Sequence, residues 1–312
     1  MKRLLYPAQI ILFGFLIVSL LATCLQVFGD SNPLSKLDYK VPVYNNVEEY
    51  DPSLARLNSI DKLVKYCDSL YLVTVSTNNE DEIKKDYTDI VSSVVRKRFY
   101  HGYSYYGVSR NYMSLLLSKL TIPGLDAVVI PDEILKYSFA ACSQQSIVVM
   151  EVLQSKGFET RKVSFQGKTS GHFCFEVYFE GGWHFYDTNM EPDPNVLQAY
   201  GRPGITFLVN HPDILLKAYG QYPKNEVMDI FPTYTFGEIN KFPAPKALIF
   251  QKLTKILSYF IWFFFLFIFL IVRLRYLRVS GNTNVQSRRT YFPRPEAGRS
   301  PSYYPGIVAP GA

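Results

Sequence analysis

Two long uncharged segments stand out in the pattern of apolar and polar positions along the chain. The first lies between Arg3 and Asp30 and has 26 residues without a formal charge. The second, Ile256–Val272, has 17 such residues, and its aromatic side chains are spread around a helix so that no polar face is left. A transmembrane helix needs roughly 20 apolar residues. The pattern therefore predicts transmembrane helices within residues 1–29 and 251–274.

The N-terminal segment also has features of a cleaved signal peptide, in which basic residues precede an apolar core. Cleavage could follow Val27-Phe28-Gly29, and Leu21-Ala22-Thr23-Cys24 loosely resembles a lipoprotein box, although Thr23 fits poorly before a lipidated cysteine. An uncleaved anchor is favoured because the apolar run is longer than the core of most signal peptides.

The charges beside the two segments predict their orientation in a cell membrane. Basic residues that flank a transmembrane helix usually stay in the cytoplasm. Lys2 and Arg3 precede the first segment, and the arginines that follow the second include Arg273, Arg275, Arg278, Arg288 and Arg289. Both termini are thus predicted to be cytoplasmic. The lipid bilayer is a predicted partner, and the region between the helices lies outside the cytoplasm.

The net charge of +6 comes from the end of the chain. Residues 273–312 have seven arginines and one glutamate, whereas residues 30–250 have 22 basic and 26 acidic residues, a balance of −4. This distribution argues against nucleic-acid binding by the outer region. Residues 275–312 are rich in Arg, Pro, Gly and Ser, which predicts a disordered cytoplasmic tail. Its arginines could bind anionic lipid headgroups or a cytoplasmic partner.

Helical spacing of apolar residues predicts that residues 30–130 form a helical N-terminal part of the outer domain. One helix covers Leu54–Leu72, a second covers Asp81–Phe99, and a third covers Asn111–Leu120. The polar run Ser76–Asn79 separates the first two helices.

Residues 131–250 contain the segment with candidate chemistry. The spacing of apolar residues predicts a helix over Ser143–Lys156, and Gly157 suits the position just after its last turn. Cys142 is then at the helix N-terminus. The positive end of the helix dipole favours a thiolate there, and the free backbone N–H groups can donate hydrogen bonds to an oxyanion.

Alternating residues after this helix predict three strands: Arg161–Phe165, His172–Phe179 and Trp183–Asp187. A four-residue loop, Phe179–Gly182, would pair Tyr178 with Trp183. In that register Asp187 is the diagonal neighbour of His172 on the same face of the hairpin. Such neighbours lie ~7–8 Å apart at the Cα atoms, so their side chains can meet.

The remaining cysteines and histidines have simpler interpretations. Cys67 and Cys174 could form a disulfide or remain separate buried thiols, and the cysteines are spaced too widely for a zinc ribbon. Cys174 shares a strand face with His172 and is expected in the core. His184 points away from the face of Asp187 and is expected at the surface or behind the site.

These residues resemble the transglutaminase-like superfamily of cysteine enzymes, whose members share a papain-like core. The family pattern is a cysteine at a helix start, a glycine-led run into a strand, a histidine-aromatic strand, a Gly-Trp turn and an aspartate. The chain supplies this pattern with Cys142, Gly157-Phe158-Glu159-Thr160-Arg161-Lys162-Val163, His172-Phe173, Glu176-Val177-Tyr178, Gly182-Trp183 and Asp187. The match covers about residues 137–192. Ala140 and Thr188 replace the family's usual Gly and Pro.

The resemblance implies an α+β fold, with a transglutaminase-like catalytic core at residues 131–250 flanked by the two transmembrane helices. It also implies a catalytic triad. Cys142 would attack an amide carbonyl, His172 would transfer the proton, and Asp187 would orient the imidazole. This chemistry needs no cofactor and no metal ion. Hydrolysis of peptide or amide bonds outside the cytoplasm is favoured over cross-linking, with a peptide or protein as the substrate.

Gln144, Trp183 and Asn189 are candidate supporting residues. Gln144 and the following Gln145 could provide polar contacts near the nucleophile or lie at the helix surface, and Trp183 is expected to pack under the hairpin. The alternative function is a catalytically silent binding or assembly module in the membrane, because a fold alone does not prove an activity.

Overall fold

The computed structural model describes most of the chain: residues 2–29, 42–44, 49–74, 79–168 and 171–289, the last nine of these by their backbone only. The chain contains both helices and strands, which confirms a fold of mixed α and β elements. The chain divides into two compact units, one of residues 1–20 with 260–312 and one of residues 21–259. Most of the predicted break at Ser76–Asn79, residues 76–78, lies outside the described residues.

The helices are numbered along the chain. They are α1 (Lys2–Phe28), α2 (Ile60–Thr74), α3 (Glu80–Arg98), α4 (Val108–Leu120), α5 (Pro131–Ile134), α6 (Cys142–Ser155), α7 (Pro194–Gln198), α8 (Ile205–Asn210), α9 (Pro212–Ala218), α10 (Lys224–Ile230) and α11 (Pro245–Arg289). The strands are β1 (Tyr100–His101), β2 (Phe139–Ala140), β3 (Thr160–Gln166), β4 (Gly171–Phe179), β5 (Gly182–Tyr186) and β6 (Tyr234–Phe236). A short 3-10 helix, Pro52–Arg56, precedes α2.

Helices α1 and α11 are long and apolar enough to cross a membrane, which confirms the prediction of two apolar helices of spanning length. In the smaller unit the two helices run antiparallel, and aromatic rings of one contact aromatic rings of the other. The ring centroids of Phe15 and Phe265 are 5.4 Å apart, and those of Tyr6 and Tyr276 are 6.3 Å apart. Aromatic pairs with ring centroids at such distances stabilise the contact between the two helices.

Helix α11 differs from the prediction at both ends. It begins at Pro245, before the predicted start of the second span, and it continues to Arg289. Residues 275–289 are therefore helical, where the composition predicts a disordered tail. The reason is that the chain from Ala247 to Ser280 has no proline or glycine, so nothing stops the helix where the apolar run ends. The rest of the predicted tail, residues 290–312, lies outside the described residues.

The helices of the N-terminal part are present with shifted starts. The predicted helix Leu54–Leu72 is divided, because Asp51 caps the short 3-10 helix and α2 begins only at Ile60. Helix α3 begins after Asn79, whose side chain accepts a hydrogen bond from the backbone N–H of Asp81 at 3.0 Å. Polar side chains that cap the first turn thus fix where these helices begin.

Strands β3–β6 form an antiparallel sheet with the order β5-β4-β3-β6. Tyr178 pairs with Trp183, as predicted, but Phe179 also pairs with Gly182. The connection is therefore a two-residue turn, Glu180-Gly181, and the predicted four-residue loop is wrong. Both turn residues have a positive φ, 49° and 71°, the conformation that matches the twist of a tight hairpin. The predicted pairing of β4 with β5 is nevertheless correct, because the two-residue turn and the four-residue loop both place Tyr178 opposite Trp183.

Helix α6 packs against one face of this sheet and is surrounded by α2, α3 and α5. Its side chains Val148 and Leu153 are fully buried in one core with Phe175 and Val177 of β4. Because a strand alternates its faces, Cys174 points to the other side, where α7–α10 form a second core. These four helices and β6 lie in a region for which the sequence pattern predicts no element. They close the sheet face on which the candidate site is built.

Candidate active site

Helix α6 begins at Cys142, as the sequence predicts. Ala141 precedes it in an extended conformation, and the first N–H groups of any helix lack partners within the helix. At the other end Gly157 has a φ of 81°, which suits the residue that follows a helix. Cys142 itself is 8% exposed. The predicted nucleophile therefore lies at the positive end of a buried helix.

Gln144 fixes the start of this helix. Its Oε1 accepts hydrogen bonds from the backbone N–H groups of Ser104 and Ala141 at 3.0 and 3.1 Å. Its Nε2 donates to the carbonyl oxygens of Ser104 and Val128 at 2.9 and 2.7 Å. All the hydrogen-bonding capacity of the amide is thus used by backbone groups. Gln144 is buried, which makes the surface interpretation wrong, and it ties two loops to the helix start.

His172 lies near the start of β4, and Asp187 directly follows β5. Nε2 of His172 and Oδ2 of Asp187 are 2.7 Å apart, and both side chains are buried. The thiol of Cys142 is among the groups that raise the pKa of His172. The structure therefore joins two of the three predicted site residues, His172 and Asp187, by a hydrogen bond, and the thiol of the third, Cys142, lies close enough to act on the imidazole.

Four hydrogen bonds hold the Asp187 carboxylate. Oδ1 accepts from the backbone N–H groups of Asn189 and Met190 at 3.1 and 3.0 Å. Oδ2 accepts from the Tyr219 hydroxyl at 3.0 Å and from His172. Because each oxygen has two donors, the carboxylate has a fixed orientation. Asn189 supports the site through its backbone, and Tyr219, just after α9, has no signal in the sequence.

The surroundings shift the pKa values of His172 and Asp187 in opposite directions. Burial alone would lower the pKa of His172. The charge of Asp187, electrostatic interaction with Cys174, and hydrogen bonding to Asp187 and Cys142 together raise that pKa well above its usual range. Burial alone would raise the pKa of Asp187, but the positive charge of His172 and hydrogen bonds from His172, Met190 and Tyr219 lower it. The pair is therefore stabilised as a carboxylate and an imidazolium.

Cys174 is a second thiol beside the imidazole. It is fully buried in β4, and burial raises the pKa of its thiol well above the usual range. The ligand atoms of His172, Cys174 and Asp187 lie within 4.8 Å of one another, and nitrogen, sulfur and oxygen atoms of this kind can bind zinc. Two ligands of a tetrahedral zinc ion are roughly 3.3 Å apart, whereas Nε2 and Oδ2 are 2.7 Å apart. The present spacing fits a shared proton better than a metal ion.

The four cysteines, all of them within the described residues, are free thiols. Cys67 is buried in the core that contains α6, and Cys174 is buried in the core on the opposite face of the sheet. The interpretation as separate buried thiols is therefore confirmed, and the alternative of a disulfide is wrong.

Trp183 packs at the hairpin end of β5, away from the triad. Its ring lies 5.3 Å from the ring of Tyr178, and the guanidinium carbon of Arg161 is 4.2 Å from its centroid. Trp183 is four residues before Asp187, which corresponds to about 13 Å along a strand. Trp183 therefore stabilises the hairpin and does not reach the candidate site.

His184 is buried, so the expectation of a surface position is wrong. One ring nitrogen lies 2.6 Å from the carbonyl oxygen of Arg202, and the other lies 3.0 Å from the carbonyl oxygen of Phe179. Its ring stacks on that of Phe179 with the centroids 3.7 Å apart. Both ring nitrogens of His184 are therefore occupied by backbone carbonyl groups, and His172 is the better candidate for a histidine that acts on Cys142.

A cavity of about 70 Å³ lies next to Thr188, the residue that follows Asp187. It is lined by polar and aromatic residues: Glu49, Arg96, Phe99, Gln145, Thr188, Asn189 and Tyr222. Gln145, one helical turn after Cys142, is buried, so a surface position is wrong for it too. Its Nε2 donates to the carbonyl of Ala140 at 3.0 Å, and its Oε1 has no partner among the described residues. A donor group of a bound molecule or water can satisfy this oxygen.

No family model, no curated protein and no solved structure matches this chain. Relatives therefore supply neither a fold nor a function. The function must therefore be inferred from the residues of the site and from their geometry.

Proposed function

We propose that this chain is a membrane-anchored, transglutaminase-like cysteine enzyme that hydrolyses peptide or amide bonds outside the cytoplasm. The observation that supports this best is the 2.7 Å contact between His172 and Asp187 next to a cysteine at a helix start. A thiol nucleophile, an imidazole base and a carboxylate that orients the base are the parts that nucleophilic catalysis requires. The papain-like core implied by the sequence resemblance belongs to the same proposal.

The reaction would proceed in two stages. The thiol proton of Cys142 passes to the neutral imidazole of His172, which gives a thiolate–imidazolium pair, and the thiolate attacks the carbonyl carbon of an amide while N–H groups at the start of α6 stabilise the oxyanion. The C–N bond then breaks, a thioester forms, and His172 gives its proton to the leaving amine. In the second stage His172 deprotonates a water molecule, which attacks the thioester, releases the carboxylic acid and restores the thiol.

Asp187 would fix the tautomer of the imidazole. It is buried, ionised and held by four donors, so it accepts the N–H of Nε2 and leaves Nδ1 as the nitrogen that exchanges a proton with the thiol. The raised pKa of His172 favours the imidazolium that forms when the thiol loses its proton. Charge is thereby stabilised at the step where it develops.

The membrane part of the proposal depends on α1 and α11. Both helices are long and apolar enough to span a bilayer, and basic residues precede the first apolar run and follow the second. By the positive-inside rule both termini would be cytoplasmic and residues 30–250 would lie outside. A reporter fused after Ala312 should give a cytoplasmic signal, and an external signal would contradict this orientation.

The catalytic part is tested by the alkylation rate of each thiol in the folded protein. Iodoacetamide reacts with thiolates, so Cys142 should be alkylated faster than the buried Cys67 and Cys174. Because Cys142 is also the most exposed of these three thiols, exposure alone could give that order. The decisive variant is His172→Gln, which should slow the alkylation of Cys142.

The matched control for this experiment is His184→Gln. It changes a buried histidine that has no contact with the triad, and glutamine can still donate to both of its carbonyl partners. The alkylation rate of Cys142 should therefore stay the same in this variant. An unchanged rate in His172→Gln as well would contradict the catalytic assignment.

A catalytically silent binding or assembly module is the second candidate. The observation that favours it is the burial of Cys142, of which only 8% is exposed, because an enzyme needs a path for its substrate to the sulfur. Two results together would support this candidate. Cys142 would be alkylated no faster than Cys67, and Cys142→Ala would leave the cellular phenotype of the gene unchanged.

A further inference from the structure

Helix α4 has an exposed apolar face. Tyr112, Leu116 and Leu120 are spaced four residues apart and lie on one side of the helix. Leu116 is 49% exposed, Leu120 is 72% exposed, and Ile122 just after the helix is 62% exposed. Between Tyr112 and Gly124 the only charged residue is Lys119. An apolar surface with so little charge is typical of a contact with lipid or with another protein.

The opposite side of α4 is packed against the domain. Asn111, Ser114 and Ser118 are buried. The hydroxyl of Ser118 donates to Oδ1 of Asp126 at 2.7 Å, and that of Ser114 donates to the carbonyl of Leu125 at 3.4 Å. These contacts fix the rotation of α4 about its own axis. The leucines therefore point outward and cannot turn into the core.

The first residues of α4 contact both apolar helices. The Tyr112 hydroxyl lies 3.4 Å from Oγ1 of Thr23 in α1, and Nδ2 of Asn111 donates to Oγ1 of Thr254 in α11 at 3.2 Å. Thr23 in turn donates to the carbonyl of Ser258 at 2.9 Å. All of these residues belong to the same compact unit. Since Ser258 lies within the second apolar run, α4 starts beside the ends of both candidate spans.

We propose that this face of α4, made of Tyr112, Leu116, Leu120 and Ile122, lies in the interfacial layer of the lipid bilayer that α1 and α11 cross. The inference rests on the membrane anchoring in the proposed function. From Tyr112 to Leu120 the face runs for about 12 Å along the helix axis, which is about two helical turns. Tyrosine is enriched at membrane interfaces, and a lysine such as Lys119 can extend its ammonium group to the headgroups.

Lipid contact at α4 would also position the candidate active site. The loop that packs on α4 leads to Val128 and Val129. The N–H of Val129 donates to Oε1 of Gln251 in α11 at 3.0 Å, and the carbonyl of Val128 accepts from Gln144 at 2.7 Å. One loop and two amide side chains thus connect the start of α6, where Cys142 lies, to the membrane-proximal helices. The site would then meet substrates close to the bilayer surface.

Tryptophan fluorescence of the full chain in lipid vesicles tests this inference. Of the two native tryptophans, Trp262 lies in the second apolar run and Trp183 lies at the hairpin of the domain. On a Trp262→Phe background, Leu116→Trp places a probe on α4. Leu72→Trp places a matched probe at the end of α2, where Leu72 is 79% exposed.

Leu72 is a suitable control position because it lies near the far end of α6. Asp68 of α2 forms an ion pair with Lys156 at 2.8 Å. Lys156 follows the last residue of α6, about 20 Å along the helix from its start at Cys142. The Leu72→Trp probe therefore has similar exposure but no expected contact with lipid.

Phosphatidylcholine brominated near the top of its acyl chains should quench the Leu116→Trp probe, relative to vesicles without bromine. The Leu72→Trp probe should keep its fluorescence, and Leu120→Trp should behave like Leu116→Trp. If both α4 probes stay bright while Trp262 of the unsubstituted protein is quenched, the proposed contact of α4 with lipid is overturned, whereas the membrane-spanning helices are supported. Equal quenching at Leu72→Trp would also overturn it, because the contact would not be confined to α4. A bright Trp262 in deeply brominated lipid would contradict the spans and the α4 contact together.

Discussion

Replacing Asp187 with asparagine changes almost no volume, but it removes a negative charge and one of two acceptor oxygens. Four donors point at this side chain: the backbone N–H groups of Asn189 and Met190 on Oδ1, and His172 and Tyr219 on Oδ2. Backbone N–H groups cannot become acceptors, whereas an imidazole and a hydroxyl can. The amide oxygen of Asp187→Asn should therefore stay with the backbone, and its NH₂ group should turn to His172.

This orientation has a larger effect on the chemistry than on the stability. A hydrogen bond to a charged group contributes about 1.5–3 kcal/mol and a neutral one about 0.5–1.5 kcal/mol. Weakening the two contacts of Oδ2 by about 1 kcal/mol each gives a loss of roughly 2 kcal/mol. For a domain of 150–250 residues this lowers Tm by about 4–8 °C. Meanwhile Nε2 of His172 must become an acceptor, so the proton moves to Nδ1, the nitrogen that has to receive the thiol proton.

Two measurements on the full chain in detergent micelles check the effect of Asp187→Asn: the melting temperature and the alkylation rate of Cys142. We expect the modest fall in Tm and a strong slowing of alkylation, as in His172→Gln. Asp213→Asn, an exposed aspartate at the start of α9, is the control and should change neither quantity. A folded Asp187→Asn protein with an unchanged alkylation rate would refute the role of Asp187 in setting the tautomer.

Three further predictions concern the support of the site. Tyr219→Phe removes a hydrogen bond to a carboxylate, worth about 1.5–3 kcal/mol, so Tm should fall by at least about 3 °C, and an unchanged Tm would contradict this. Because the pKa of Asp187 is lowered in the folded protein, its ionised carboxylate stabilises the fold, and this stabilisation is lost as the pH falls through that lowered pKa. Because the pKa of His172 is raised, its imidazolium stabilises the fold, and this stabilisation is lost as the pH rises through that raised pKa. Melting temperatures should therefore be highest between the ordinary pKa values of Asp and His, and the Asp187→Asn protein should lack that maximum. Gln251→Leu removes three hydrogen bonds to the loop before α5 and should lower Tm, whereas the exposed Gln198→Leu should leave it unchanged; equal melting temperatures for the two would count against this.

The local part of the site follows from the sequence. Apolar spacing and Gly157 define the limits of α6, so the position of Cys142 at its start is predictable. Strand alternation places His172 and Asp187 on one face once the hairpin register is known. That register is determined by the turn Glu180-Gly181, and the predicted loop was too long but gave the same pairs. Short-range patterns thus suffice for the three triad positions.

The surroundings of the triad depend on contacts between distant segments and leave no such pattern. Tyr219 is one of 24 tyrosines, and it meets Asp187 only because α7–α10 cover the sheet. Helices of five to seven residues have too few positions for a period to be recognised. The sequence leaves Gln144 open between a polar contact and a surface position, yet Gln144 and Gln251 are both buried because their amides bind the backbone of loops. Polar burial of this kind is decided by tertiary contacts, not by periodicity.

Two thiols lie near one imidazole, and their backbone surroundings favour Cys142 as the nucleophile. Cys174 is in the middle of β4 and pairs with Val163 of β3, so its backbone N–H belongs to a strand ladder. Its thiol is fully buried, and its raised pKa favours the uncharged form, which is a poor nucleophile. Cys142 is at a helix start, where N–H groups are available for the oxyanion of an attacked carbonyl. Cys174 therefore contributes packing and a polar contact to His172, and the chemistry is expected at the sulfur that begins α6.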